Sequence, residues 1–287
     1  MTKTMAPLLA ERPGVRPAEA VSPALAAVPA PRVDILGVRV WAQRLDQAVA
    51  TLGGWIAERR QGYVCVTGVH GVIESHRDPA LKAIHNAAGM VTTDGMPLVW
   101  LCRRAGHHRA ERVYGPDLML AMCAASEERG WRHFLYGATD DVLEKLRGNL
   151  TRRFPGLCIA GAYAPPFRAL SEEEDRAVAE RIDAAQPDIV WVGLSTPKQE
   201  RWMAAHLGRI EAPVMIGVGA AFDFHAGTKR QAPVWMRRNG LEWLFRMASE
   251  PRRLARRYCV SNSVFLWLLG KQALGLGGAR RSDRRAG

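Results

Sequence analysis

From Val33 onward, the apolar and polar positions of the chain follow two alternating rhythms. Runs such as "GYVCVTGVH", "RHFLYG", "LCIAGAYAPPF", "DIVWVGLS" and "APVMIGVG" are short, mostly apolar and rich in β-branched and aromatic residues, as strands buried on both faces are. Between them, "RLDQAVATLGGWIAERRQ", "GPDLMLAMCAASEERG", "DDVLEKLRGNLTRRFPG" and "SEEEDRAVAERIDAAQ" predict helices. Their ends carry matching chemistry: Pro116 and Asp117 open one helix, and Ser171 caps another whose first turn is acidic. "GVIESHRDPALKAIHNAAG" predicts a helix broken at its proline, and "VDILGVRVW" a hairpin ahead of the alternating region. "MVTTDGMPLVW" reads as a strand and turn, and "GVGAAFDFHAG" as a strand end running into a loop. The fold class expected is α/β, a Rossmann-like, mostly parallel sheet with helices on both faces.

Four parts follow from this pattern. Residues 1–32 are Ala/Pro-rich, lack a compact apolar stretch and are expected to be a disordered leader, not a signal peptide. Residues 33–232 form the α/β core, 233–276 a basic amphipathic helical appendage, and 277–287 a disordered basic tail. With 287 residues, 48% of them hydrophobic, the chain can close one substantial core.

Charge adds a partner class. Forty Lys and Arg against 28 Asp and Glu leave a formal charge of +12, which suits nucleic acid, anionic lipid or a phosphorylated substrate. Much of it sits in "RRNGLEWLFRMASEPRRLARR", where arginines interleave with Trp243, Leu244 and Phe245. The uncharged run that follows, Tyr258 to Gly270, is 13 residues long. Spanning a bilayer takes about 20. An interfacial anchor on an anionic membrane is favoured, with a core-packed helix or a dimer interface as the alternative. No RRM, KH or helix-turn-helix pattern occurs, so nucleic acid is not expected. Monomer and homo-oligomer both stay open. The five cysteines are far apart and include no Cys-x-x-Cys pair, consistent with buried free thiols in a reducing cytoplasm.

Ligands of parallel sheets bind at the carboxyl ends of the strands, so the strand-to-loop junctions carry the candidate chemistry. "TTDGMP" places Asp94 beside Gly95, either as a general base for a hydroxyl nucleophile or as the solvated acid of an Asp-Gly turn. Arg112, just before a Gly-Pro helix start, either grips a phosphate or pairs with an acid. In "FLYGATDD", Gly137 ends a strand and Thr139 leads into a helix whose free N–H groups suit a phosphate or ribose edge, or need only a cap. In "GLSTPKQE", Thr196 is the expected cap, and Lys198 and Gln199 lie beside the helix start. Gln199 offers both a donor and an acceptor to sugar hydroxyls, or is simply an exposed helix residue. "GVGAAFDF" adds Gly219, Phe222 and Asp223. Neither a G-x-G-x-x-G after the first strand nor a Walker loop is present. Among the eight histidines there is no H-x-x-x-H pair, and no D-x-D joins strands, so no metal is expected.

Together, "TTDGMPLVW", "ERVYGPDLM", "FLYGATDD", "PDIVWVGLSTPKQERWM" and "GVGAAFDFHAGTKRQAPVWMRRNGLEWLFRMASEPRRLARRY" resemble, in order and spacing, the WecG/TagA/CpsF glycosyltransferases, glycosyltransferase family 26. The resemblance spans about Val33 to Tyr258, and its last block is the most specific. It implies inverting, metal-independent transfer from a UDP-sugar to a saccharide on an undecaprenyl-type diphosphate carrier, with no cofactor, in exopolysaccharide or other surface polysaccharide synthesis. The enzyme would work in the cytoplasm, peripherally on the inner face of the membrane. Asp94 then matches the catalytic base, Arg112 an arginine near the sugar or diphosphate, Gln199 the glutamine after Pro-Lys, and Thr67 the threonine ending an early strand. Arg237, Arg246, Arg253 and Arg256 would meet the lipid diphosphate or the membrane. Where many members read Thr-x-Asn, this chain reads Thr67-Gly68-Val69. A one-residue shift of the loop would let His70 stand in, and the departure leaves room for sugars other than N-acetylmannosamine.

Overall fold

The computed structural model describes residues 30–274, with the side chains of Arg253 and Arg257 left outside. The tail at 277–287 and residues 1–29 of the leader therefore lie outside the described residues. Arg32, assigned above to the leader, already opens the first strand. Strands β1 (Arg32–Ile35) and β2 (Val38–Trp41) form an antiparallel hairpin apart from the main sheet.

The main sheet holds six strands: β3 (Gly62–Thr67), β4 (Met90–Thr93), β5 (Arg132–Gly137), β6 (Cys158–Tyr163), β7 (Ile189–Gly193) and β8 (Val214–Gly217). They run in the order β4-β3-β8-β7-β5-β6, every neighbouring pair parallel. Alternate residues face opposite ways. Val64, Leu135, Trp191 and Ile216 enter one apolar cluster, and Cys65, Phe134, Val190 and Met215 the other. That division explains the unbroken apolar runs, since a strand covered on both faces has no polar side to show.

Helices α1 (Leu45–Ala57), α5 (Gly115–Arg129), α6 (Asp140–Arg153) and α9 (Ala221–Ala226) feed the first cluster. The second receives α2 (Val69–Arg77), α3 (Pro79–Ala87), α4 (Met96–Arg104), α7 (Glu172–Ala184) and α8 (Lys198–His206). Ser171 caps α7 as expected, through a capping box in which its Oγ accepts from Glu174 N at 3.2 Å and Glu174 Oε2 accepts from Ser171 N at 2.9 Å. Two elements differ from expectation. "MPLVW" belongs to α4, whose Pro97 sits in the first turn, where a missing N–H costs no hydrogen bond. "AFDFHA" is α9, a single short helix closed by Gly227 at φ 76°.

The appendage comprises α10 (Val234–Arg238), α11 (Glu242–Ser249) and α12 (Pro251–Ala273). Helix α12 lies along α2 and buries Leu254, Ser261 and Phe265. Its outer side shows Val260, Leu266 and Trp267, the last 61% exposed. Among the described residues, no helix is long and apolar enough to cross a membrane.

A polar thread runs through the core. Trp191 Nε1 donates to His133 Nδ1, His133 Nε2 donates to Ser126 Oγ, both at 2.8 Å, and the Ser126 hydroxyl donates to the Met122 carbonyl at 2.7 Å. Burial pushes the His133 pKa down to about 3, so the ring stays neutral and both nitrogens are satisfied. Gly137 meets a tighter constraint. It has φ +124°, and a Cβ there would stand 2.7 Å from the Gly193 carbonyl carbon. Gly137→Ala is expected to lower the unfolding free energy by about 2 to 4 kcal/mol, measured by urea denaturation. A loss below about 0.5 kcal/mol would mean that the β5–β7 strand ends part freely.

Candidate active site

Asp94 stands at the carboxyl end of β4, where the chain leaves the sheet before Gly95 caps α4. Its N–H donates to the Thr67 carbonyl of β3 at 2.9 Å, and its Oδ1 accepts from Gly115 N at 3.2 Å. The other carboxylate oxygen, Oδ2, has no restraint of that kind among the described residues and lies beside Gly68, 3.6 Å from where a Cβ on that residue would be. Burial raises the Asp94 carboxyl above the usual carboxylate range. The Arg112 guanidinium opposes that rise, while the Glu242 carboxylate adds to it.

Arg112 is not a free phosphate hook. Its Nη2 donates to Glu242 Oε2 at 2.6 Å, its Nε donates to the Asp94 carbonyl, and its guanidinium lies 3.8 Å from the Tyr114 ring centroid. The Tyr114 hydroxyl donates to the second Glu242 oxygen at 2.8 Å. One carboxylate on α11 thus joins the arginine behind Asp94 to a buried tyrosine.

Three cavities meet around this cluster. The largest, about 560 Å³, is an apolar groove roofed by α10, α11 and α12, with Trp100, Leu241, Phe265 and Leu269 in its walls and Asp94, Arg112, Arg237 and Arg246 at its polar end. A small polar chamber of about 120 Å³ follows, lined by Asp94, Tyr114, Thr196, Gln199, Asp223, Lys229 and Arg246. A third, about 510 Å³, opens at the ends of β5 and β7 among Tyr136, Thr139, Phe167, Lys198 and Trp202. Its volume is that of a small-molecule site. Asp94, Thr196 and Arg246 border both the groove and the chamber, and Ser195, Gly219, Asp223 and Lys229 border both the chamber and the third cavity. The three form one path with Asp94 at its neck.

Most residues singled out from sequence lie along this path. Gly95 and His70 line the groove, His70 with Nδ1 3.4 Å from Ser261 Oγ and 3.9 Å from Glu74. Gln199 lines the chamber, Gly219 and Asp223 its junction with the third cavity, and Thr139, Lys198 and Phe222 the third cavity. Arg246 faces both groove and chamber, and Arg237 lines the groove while pairing with Asp117 at 3.5 Å.

Others fall elsewhere. Thr67 is buried with its Oγ1 3.0 Å from His85 Nε2, inside the core, because β3 turns that side chain away from Asp94. Gly137 serves close strand packing and lines none of the three cavities. Thr139 caps α6, accepting from Val142 N at 3.4 Å. Thr196 does not cap α8: Pro197 holds that position, and the Thr196 hydroxyl donates to Glu200 Oε1 at 2.8 Å. Arg256 is exposed away from the cavities, and the Arg253 side chain lies outside the described residues. Sequence reasoning passed over Tyr114, Lys229 and Glu242. Each stands in a block quoted above, but their roles depend on neighbours distant in the chain.

A parallel α/β sheet with a half-buried carboxylate between a polar chamber and an apolar groove suits transfer of a group between a polar and an amphiphilic molecule. Residues 33–278 match the Glycosyl transferase WecG/TagA/CpsF family, and the chain belongs to it. Curated relatives include the N-acetylglucosaminyldiphosphoundecaprenol N-acetyl-beta-D-mannosaminyltransferases of Staphylococcus aureus strains MW2 and NCTC 8325. Each is 28% identical over 242 residues, covering 84% of this chain and 92% of the relative.

The Arg112–Glu242 pair is buried, with side-chain exposures of 15% and 11%. Glu242→Ala, which strands both Arg112 and Tyr114, is expected to cost about 3 to 5 kcal/mol of unfolding free energy in chemical denaturation. Arg112→Met with Glu242→Leu is expected to recover part of that loss. An Ala variant as stable as the wild type would show that the pair does not hold α11.

Proposed function

We propose that the protein is an inverting, metal-independent transferase that moves a hexose-type sugar from a UDP-sugar to a polyprenyl-diphosphate-linked saccharide in bacterial cell-surface polysaccharide synthesis. The observation carrying this reading is the position of Asp94, at the neck between a polar path fit for a nucleotide sugar and an apolar groove fit for a lipid-linked acceptor. The names of the Staphylococcus relatives support the acceptor class and make N-acetylmannosamine a natural first donor to try.

In this mechanism the nucleotide occupies the third cavity, near the stacked Tyr136 and Trp202 rings, whose centroids are 4.2 Å apart. The donor sugar fills the chamber, and the acceptor hydroxyl arrives from the groove. The Asp94 carboxylate takes the hydroxyl proton as the oxygen bonds to the anomeric carbon. The bond from that carbon to the phosphate oxygen breaks on the opposite face, and UDP leaves with the electron pair. Arg246 and Lys229, both lining the chamber, offset the charge on the departing diphosphate. Arg112 acts by holding the Asp94 loop.

Membrane association follows from α12. Val260, Leu266 and Trp267 are exposed on it, and so are Arg252 and Arg256. Apolar side chains inserted among lipids with arginines at the headgroups give an interfacial dock. Replacing Val260 and Trp267 with Glu is expected to lower partitioning onto anionic vesicles by about tenfold or more in sedimentation assays. Binding that ignores both the substitutions and added salt would count against this face.

The decisive assay follows UDP release from a panel of UDP-hexoses, N-acetylated ones included, with a prenyl-diphosphate-linked sugar as acceptor. Asp94→Asn is expected to lower kcat by about 10²- to 10⁴-fold with donor binding retained. Chelation of divalent ions is expected to leave the wild-type rate unchanged. Unimpaired turnover by the Asn variant would move the base elsewhere.

The base works deprotonated, so the rate rises with pH through the Asp94 pKa. Because burial raises that pKa, the acid limb of kcat/KM is expected above the usual carboxylate range. Glu242→Gln removes a charge that raises it further and is expected to move the limb to lower pH. A limb that does not move in this variant would place the titrating group elsewhere.

A further inference from the structure

Gln199 and Glu200 lie in the first turn of α8, and both are buried, 3% and 1% exposed. Successive helix residues point about 100° apart and do not normally meet. Here the Gln199 amide donates from Nε2 to Glu200 Oε1 at 3.1 Å, and Thr196 Oγ1 donates to the same oxygen at 2.8 Å. The amide has room because β8 and the loop after it carry glycines at this point. A Cβ on Gly217 would stand 3.0 Å from Gln199 Nε2, and one on Gly219 would stand 3.4 Å from Gln199 Oε1. The nitrogen end thus lies over the strand, and the oxygen end points toward Gly219 and the polar chamber.

Gln199 Oε1 is buried without a hydrogen-bond partner. A carbonyl oxygen left that way is destabilising unless a donor reaches it, and the chamber is where one can arrive. Glu200 is unusual in its own right: its second oxygen, Oε2, is also buried and unpartnered. A methionine there would fill the space without burying a charge. What a carboxylate adds is chemical polarity. Its Oε1 already accepts from the Thr196 hydroxyl, and an oxygen placed as an acceptor can hold the nitrogen of the neighbouring amide and not its oxygen.

We propose that Glu200 is a positioning residue that fixes the polarity of the Gln199 amide, turning its carbonyl oxygen into the chamber. The bound sugar must then present a hydroxyl or an amide N–H at that point, and a sugar offering only an acceptor there is refused. That a sugar occupies the chamber rests on the proposed function; the polarity of the amide does not.

The test therefore has two arms. In the first, nitrogen-15 NMR of the ligand-free protein follows the Gln199 side-chain amide, identified by its disappearance in Gln199→Glu. Its protons are expected to exchange with water about tenfold more slowly in the wild type than in Glu200→Met. Equal rates overturn the proposal. Should Glu200→Met not fold, Glu200→Leu, which also lacks an acceptor, takes its place in the same comparison.

The second arm uses the UDP-hexose that the wild type turns over. Gln199→Glu sets two carboxylates against each other and is expected to lower kcat/KM by roughly a hundredfold. Adding Glu200→Gln restores a donor–acceptor pair with an acceptor oxygen still facing the chamber, and about tenfold or more of the loss should return. A double variant no better than the single overturns the proposal, since a purely structural Glu200 predicts further damage. A wild type that releases UDP from no donor would refute the functional reading, and the first arm would still decide the polarity.

Discussion

The Glu242 carboxylate ties the appendage to the sheet. It accepts from Arg112 and from Tyr114, and Arg112 in turn donates to the backbone carbonyl of Asp94. A single acidic side chain on α11 therefore reaches the loop that carries Asp94. Docking of the appendage and the burial of Asp94 are one event. Were α11 to lift away, water would reach the acid and the burial that raises its pKa would be lost. The apolar groove would lose its roof at the same moment, because α10, α11 and α12 form it.

This coupling also explains how a basic, apolar-faced helix is built into an enzyme without being a separate module. Helix α12 buries Leu254 and Phe265 and shows Leu266 and Trp267 outward. Adjacent positions on one helix thus serve the protein interior and the outer face. The sequence pattern favoured an interfacial anchor, with a packed helix or dimer interface as the alternative; the structure packs α12 along α2 and leaves Val260 and Trp267 exposed.

Much of the fold was legible because parallel strands covered on both faces leave near-continuous apolar runs, and β3, β7 and β8 all do so. Helix α7 announced itself through Ser171 and Glu174, whose capping box is local in sequence. Helices α4 and α9 were hidden, since Pro97 and the glycines around "AFDFHA" look like turn chemistry until their positions in the helix are known. Asp94 and Gln199, picked out from their places at strand ends, do line the cavities. Arg112 was read as gripping a phosphate or pairing with an acid, and local sequence could not choose because the acid it pairs with, Glu242, lies 130 residues further along the chain. Thr67 misled for a different reason: its strand ends at the site, but alternation along β3 turns its hydroxyl toward His85. Strand-end position tells which loop a residue joins, and only the pleat tells which way it points.

The groove and the third cavity have no lining residue in common. One is walled by α4 and the appendage, the other by the loops after β5 and β6 and by the start of α8, and they touch only through the small chamber. A substitution at a residue lining one of them therefore removes no lining residue of the other. A lineage built on this plan can drift toward a new partner on one side while its older habit on the other is preserved, so long as the few residues of the neck are kept. Diversity in what such proteins join is then a product of two independent variations.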